Sequence, residues 1–328
     1  MGTFHGAGIR WKAIFPRASD VPPPAGFTVG AINRGHKGRH DTTRLLCMAG
    51  WEWDPTLYGG SAPCYLKGRL SYAPHLAQAL VDALDLDGTG RLIDVGTGPG
   101  LIAMDLAPFF EEVLGIDADA DMVFEAAREG RRRGIENATW LNLRGEDLPA
   151  DLGSFRVATF AQSFHWMQRE RVARALRHML EPARGRLVLV HAYTHQGVDP
   201  VDPPEHPTPP YDSIAELVER YLGSVRRAGQ GVLRDGTPSD EEWVLDQAGF
   251  SGPDVVTVAD TRVITRTADE VVASVYSVSH SAPHLFGDRL AAFESELHAL
   301  LSEASSHELF SEQAGENELR IWRLSEPG

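Results

Sequence analysis

Five short apolar runs alternate with amphipathic stretches through the middle of the chain. Leu92-Ile93-Asp94-Val95 reads as a buried strand. So do Val113–Asp117, Ala138–Leu143, Arg156–Phe160 and Arg186–Val190. Near-continuous apolar runs of this length mark parallel strands covered on both faces. Between them the period changes to that of a helix: Leu101–Phe110, a stretch opening at Ala118-Asp119-Ala120-Asp121-Met122, and residues 167–180. Ahead of the first strand, Leu76, Leu80, Val81 and Leu84 share one face of a helix over His75–Leu86. Strand alternating with helix predicts an α/β fold with a mostly parallel sheet.

The second half is less regular. Ile214, Leu217, Val218, Tyr221 and Leu222 line one helix face from Asp212 onward, with Ser213-x-x-Glu216 resembling a capping box. Ser239-x-x-Glu242 and Thr267-x-x-Glu270 mark two more helix starts. Asp254–Val258 and Glu318–Trp322 read as strands, and Val271–Val278 and Leu285–Ala304 as helices. Residues 195–210 form a Pro- and Asp-rich loop, long for a compact domain, and that length hints at function.

The first strand runs into Gly96-Thr97-Gly98-Pro99-Gly100 and then a helix. Glycines there permit left-handed backbone and remove Cβ atoms that would block a ligand's approach. The second strand ends on Asp117, 23 residues after Asp94, near the spacing at which nucleotide-binding folds place a ribose-binding acid. The third strand ends on Arg144-Gly145-Glu146-Asp147-Leu148-Pro149, whose acids sit on the same sheet edge and offer an acceptor to an adenine amino group. The fourth delivers Ala161-Gln162-Ser163-Phe164-His165-Trp166 to that edge. Gln, His and Trp at a strand end suit a pocket better than a core. Gln162 can fix a polar group, Trp166 can wall the pocket, and His165 can act as acid, base or hydrogen-bond donor. Glu170, in the next helix's first turn, is either a favourable N-terminal charge or a base. The fifth strand brings His191 and Tyr193 to the same edge. Met122 either packs on an adenine face or fills the core.

Composition narrows the classes. The 328 residues are 42% hydrophobic and 23% charged, ordinary for a globular protein, with a net charge of −15. Such acidity disfavours general nucleic-acid binding. The exception is residues 1–44, where seven Lys/Arg face two Asp, so the rest carries −20. Residues 1–47, with Val21-Pro-Pro-Pro-Ala-Gly26, are expected to be a disordered basic extension, an upstream reading of a start at Met48. His36 and His40 lack the further ligands a metal site needs. Two cysteines, Cys47 and Cys64, and the lack of a signal-like or membrane-spanning run point to the cytoplasm and to no membrane partner. Oligomeric state stays open.

Asp94-Val-Gly-Thr-Gly-Pro-Gly100 is G-x-G-x-G, not the dinucleotide G-x-G-x-x-G. It resembles the first motif of class I S-adenosylmethionine-dependent methyltransferases. Glu146-Asp147-Leu148-Pro149 resembles their sequence after the third strand. Ala161–Trp166 is similar to the fourth-strand motif of the ubiquinone-biosynthesis and aconitate-type members. The resemblance covers Tyr58 to Trp322. It implies a Rossmann-like seven-stranded sheet in the order 3-2-1-4-5-7-6, the seventh strand antiparallel, helices on both faces and a helical substrate cap. Its domain plan is a lid segment and helix at 48–90, a cofactor core at 91–194, a cap insertion at 195–238 and a C-terminal part at 239–328.

The implied cofactor is S-adenosylmethionine, whose ammonium seeks carbonyl or carboxylate acceptors. The implied cofactor set is Tyr65, Arg69 (as a carboxylate partner), Asp94, Gly96, Thr97, Gly98, Gly100, Asp117, Ala118, Met122, Glu146, Asp147 at the adenine, Leu148 beside it, Ala161 and Gln162. The small-molecule acceptor would meet Tyr58, His165, Trp166, His191 and Tyr193. His165 and Glu170 are the candidate bases, and no metal is required. The alternatives are carbon methylation of a prenyl diphosphate, with Mg on the diphosphate and Glu170 as base, a nicotinamide-dependent oxidoreductase, and a non-catalytic cofactor-binding protein.

Overall fold

The computed structural model describes residues 54–224, 226–228, 231–233 and 240–326. The expectations for residues 1–47, for Cys47 and for Ser239 lie outside them.

Eleven strands are described: β1 Arg91–Val95, β2 Glu112–Asp117, β3 Ala138–Asn142, β4 Val157–Ala161, β5 Arg186–His191, β6 Arg226–Ala228, β7 Gly231–Leu233, β8 Phe250–Val258, β9 Val263–Thr267, β10 Leu309–Gln313 and β11 Asn317–Leu324. Seven make one sheet, in the order β3-β2-β1-β4-β5-β11-β8. β3 through β5 are parallel, and β11 runs antiparallel to both β5 and β8. With the two small ribbons β9–β10 and β6–β7 set aside, this is the expected order. Neither ribbon was expected from the sequence.

The helices are α1 Ala62–Gly68, α2 Leu76–Leu84, α3 Leu101–Leu106, α4 Ala120–Arg133, α5 Arg169–Met179, α6 Tyr211–Leu222, α7 Glu241–Gln247, α8 Ala268–Tyr276 and α9 Leu290–Ala304. Alternating residues of the central strands feed two apolar layers. Ile93, Val95 and Phe160 pack toward α5 and α7, while Leu92, Val113 and Val188 pack toward α2 and α3. A third apolar cluster joins α6, α8 and α9 through Ile214, Leu217, Val271, Phe293 and Leu297, so residues from both sides of β8 build one helical layer.

Local signals held unevenly. Asp119 caps α4, accepting from the N–H groups of Asp121 and Met122, and Arg132 and Arg133 pair with Glu129 in its last turns. Thr267 and Glu270 form the complete reciprocal box at α8. The box expected at Ser213 is absent: the N-cap of α6 falls three residues earlier, at Pro210, with Tyr211 as the first helical residue. Proline's fixed φ starts the turn there, and Tyr211 is held by a hydrogen bond to Glu312 that no local pattern reveals. α7 likewise starts behind Asp240, whose carboxylate is engaged by Arg169 at 2.6 Å.

Candidate cofactor site

β1 ends in a turn that β2 holds from below. The N–H groups of Gly96 and Thr97 both donate to the Ile116 carbonyl, at 2.8 and 2.9 Å. Gly98, at φ +54°, donates to Asp117 Oδ2 at 2.8 Å, and Asp119 N–H takes Oδ1 at 2.9 Å. The turn and the acid of β2 are therefore one hydrogen-bonded unit.

The three glycines have different reasons to be glycine. A Cβ on Gly96 would come within 2.5 Å of the Ser163 side chain, and one on Gly100 within 2.7 Å of Trp140. Both serve packing inside the protein. A Cβ on Gly98 would meet nothing within 4 Å. Gly98 alone of the three both stands at open space and lines the cleft.

That cleft, of about 670 Å³, lies at the C-terminal edge of β1, β2 and β4. Ligand sites of small molecules have this size. Of the expected cofactor residues, Tyr65, Gly96, Gly98, Asp117, Ala118, Met122, Glu146, Ala161 and Gln162 line it. Tyr58 and Trp166, expected on the acceptor side, line the same cleft. Gln162 is there in left-handed backbone, φ +59°, a strained conformation of the kind that collects at functional sites. Leu143, Gly145, Ser163 and Met167 also line it and were not singled out from sequence. Ser163 Oγ donates to the Val95 carbonyl at 2.5 Å, tying β4's end to β1's. Its signal in the sequence was only its place between Gln162 and Phe164.

Other expected residues sit elsewhere. Asp94 is fully buried beneath the turn, and its carboxylate accepts from Thr97 Oγ1 (2.6 Å) and Thr159 Oγ1 (2.7 Å). Asp94 and Thr97 thus brace the turn rather than face the cleft. Gly100 starts α3 behind the wall. Arg69 is not aimed at a cofactor carboxylate: its guanidinium donates to Thr194 Oγ1 and to the Ser277 carbonyl and lies 4.5 Å from the Tyr65 ring centroid. Asp147 is exposed and off the cleft wall. Leu148 is buried in the core beside α5. The carboxylate on the wall is Glu146, which also accepts the Gln168 N–H at 2.8 Å ahead of α5. Glu170 is half-buried in α5's first turn and does not line the cleft. Neither do His165, His191 and Tyr193. Tyr193 is 62% exposed.

Electrostatics follow burial. Desolvation raises both Asp94 and Asp117 to about 6. His165, its ring tilted at 55° and centred 4.3 Å from that of Trp166, is lowered to about 4, first by burial, then by His191 and Arg169. Among the described residues on the cleft wall, the charged ones are the carboxylates Asp117 and Glu146, with no lysine or arginine. Such walls suit a cationic, phosphate-free ligand flanked by Tyr58, Tyr65 and Trp166.

A parallel sheet with a glycine turn on β1, an acid on β2 and a cleft at their C-terminal ends defines a Rossmann-like nucleotide-cofactor domain. Residues 92–183 match the family model described as a methyltransferase domain. The matched segment is similar to S-adenosylmethionine-dependent methyltransferases.

Among curated relatives, the uncharacterized methyltransferase YcgJ of Bacillus subtilis is 32% identical over 113 residues, which is 34% of this chain and 43% of that protein. Methyltransferase pgmE of Aspergillus terreus is 27% identical over 128 residues, 36% of this chain and 38% of its own. The chain thus spans less than half the length of these relatives. Among solved structures, YcgJ aligns at 18% identity and a TM-score of 0.45, covering 78% of this chain and all of that one. A Geobacter sulfurreducens S-adenosylmethionine-dependent methyltransferase in complex with S-adenosyl-L-homocysteine aligns at 15% identity and 0.44, covering 83% and 98%.

Proposed function

We propose that this protein transfers a methyl group from S-adenosylmethionine to a small-molecule acceptor by direct displacement. The observation that carries the reading is the cleft wall: two carboxylates, three aromatic rings, open space at Gly98 and no basic side chain among its described residues. These residues fit S-adenosylmethionine. Asp117 would accept from the ribose hydroxyls, Met122 would lie against the adenine, and Glu146 would meet its amino edge. The turn around Gly98 would receive the amino-acid end. The G-x-G-x-G spacing of Gly96, Gly98 and Gly100 departs from the dinucleotide G-x-G-x-x-G, which disfavours the oxidoreductase reading.

Bound, the cofactor supplies an activated methyl on a sulfonium centre. The protein's part is alignment and exclusion of water. Tyr58, Tyr65 and Trp166 line the cleft and would shield the transferred methyl from water. His165 is uncharged at neutral pH, because burial holds it near 4. An oxygen or nitrogen acceptor becomes strongly acidic as the methyl bond forms, so even a weak base suffices to take its proton. Neither His165 nor Glu170 lines the cleft; His165, whose ring lies 4.3 Å from that of the cleft-wall Trp166, is the nearer candidate for that role. The carbon-methylation reading on a prenyl diphosphate, with Mg, draws no support from the geometry. The acidic composition favours a small acceptor over nucleic acid.

Calorimetric titration with S-adenosyl-L-homocysteine and with NAD tests the cofactor. Micromolar binding of the former alone is expected, and preferential binding of NAD overturns the reading. Radiolabelled methyl transfer across a panel of phenols, carboxylic acids and amines then separates an enzyme from a binding protein.

A further inference from the structure

The lid helix α1 brings Tyr65 to the cleft, and Tyr58 stands just ahead of it. At seven residues it is too short to hold itself. It is seated on α8 so closely that a Cβ on Gly68 would come within 2.3 Å of the Ala273 backbone. Its last carbonyl, Gly68 O, accepts from Arg266 Nη2 at 2.6 Å. The same nitrogen donates to Glu270 O at 2.7 Å, and Arg266 Nη1 donates to Glu312 Oε1 at 2.6 Å. Arg266 is 3% exposed and Glu312 1%.

Glu312 does more than neutralise Arg266. It accepts from the Tyr211 hydroxyl at the start of α6, at 2.7 Å, and from Gly197 N–H in the 195–210 loop. One carboxylate therefore joins the end of the cofactor lid to the helix and loop of the cap. An apolar ribbon would serve stability at least as well, because burying two charges carries a heavy desolvation cost. What the pair adds is a fixed direction: a guanidinium fork holds the lid's end at one angle.

We propose that Arg266 and Glu312 are positioning residues of the cofactor site, holding α1 so that Tyr58 and Tyr65 lie against bound S-adenosylmethionine and tying that lid to the cap. The proposal rests on the cofactor reading above. The test uses the full chain and S-adenosyl-L-homocysteine as probe. A triple variant, Arg266→Met, Glu312→Leu and Tyr211→Phe, replaces the polar cluster with apolar groups of similar size. Its fold is checked by circular dichroism and thermal melting, and Glu312→Gln is the second variant should it not fold. The expected result is release of S-adenosyl-L-homocysteine at least tenfold faster by stopped flow. Loss of the ligand's protection against tryptic cleavage after Lys67 is expected with it. Release and protection equal to those of the unmodified protein overturn the positioning role, since a purely structural pair would change only the melt. Failure of the unmodified protein to bind the probe overturns the cofactor reading instead, and this proposal with it.

Discussion

Gly98 and Asp117, nineteen residues apart, meet through a 2.8 Å hydrogen bond from the glycine N–H to carboxylate Oδ2. The bond fixes the turn's height above the sheet and keeps the carboxylate at the cleft wall. It also separates the roles of neighbouring glycines. Gly98→Ala adds a methyl where nothing lies within 4 Å, so its cost to the empty protein is the left-handed backbone alone, about 1 kcal/mol. Gly96→Ala adds one 2.5 Å from Ser163. The expected outcome is a folded Gly98→Ala protein that loses S-adenosyl-L-homocysteine affinity at least tenfold. Gly96→Ala is expected to lower the melting temperature much further. Calorimetry and thermal melts on both variants check this.

Asp117 carries a pH signature. Burial raises it to about 6, and it is the ionised form that would accept from the ribose hydroxyls in the proposed cofactor site. S-adenosyl-L-homocysteine affinity is expected to climb from pH 5 to 7 and then level off. Asp117→Asn should weaken binding at pH 7.5 at least tenfold, about 1.4 kcal/mol, and flatten the pH profile. Stability of the empty protein runs the other way. The unfolded chain ionises near the ordinary aspartate value and the folded one only near 6, so stability falls as pH rises between them.

Asp94 follows the same rule without a ligand role. It is fully buried, raised to about 6, and satisfied by two threonine hydroxyls. An asparagine can serve both hydroxyls without a buried charge. Asp94→Asn is expected to stabilise the protein at pH 8 by about 3 kcal/mol at most, from a shift of roughly two pH units. The gain should shrink as pH falls below about 6 and vanish near pH ~3 and below, where the carboxyl is mostly protonated in both states. Denaturant melts at the two pH values measure it. Unchanged S-adenosyl-L-homocysteine affinity in the same variant would match its place beneath the turn.

The central strands were legible because each announces itself by an apolar run and each turn by glycine or acid, while their order came from the family resemblance. The acids at strand ends were legible as a group, yet only Asp117 and Glu146 reach the cleft. Asp94 turns inward because Thr159, 65 residues away, waits for it. Arg69 turns to Ser277, 208 residues away, and Ser213 lost its cap to a start set by Pro210 and Tyr211. Thr267, whose partner Glu270 is three residues off, was read correctly. Local partners can be read from spacing, whereas long-range ones depend on how the elements dock. For the same reason the ribbon β9–β10, with its buried Arg266 and Glu312, had no sequence signature.

His165 supplies the last prediction. Its imidazole is lowered to about 4 by burial, with His191 and Arg169 adding to the effect. In the unfolded chain a histidine titrates near 6.5. The unfolded state therefore binds the proton first as pH falls, and stability attached to this residue is lost between about 6.5 and 4. Above 6.5 it contributes no pH dependence. Proton NMR should show one imidazole resonance unmoved through pH 5.5, assigned to His165 by its loss in His165→Gln. The same variant should lose part of the acid sensitivity of the melting temperature between pH 6.5 and 4. A His165 resonance titrating near 6.5 would mean that the ring is hydrated, and with that the case for a neutral proton acceptor at the acceptor side would fall.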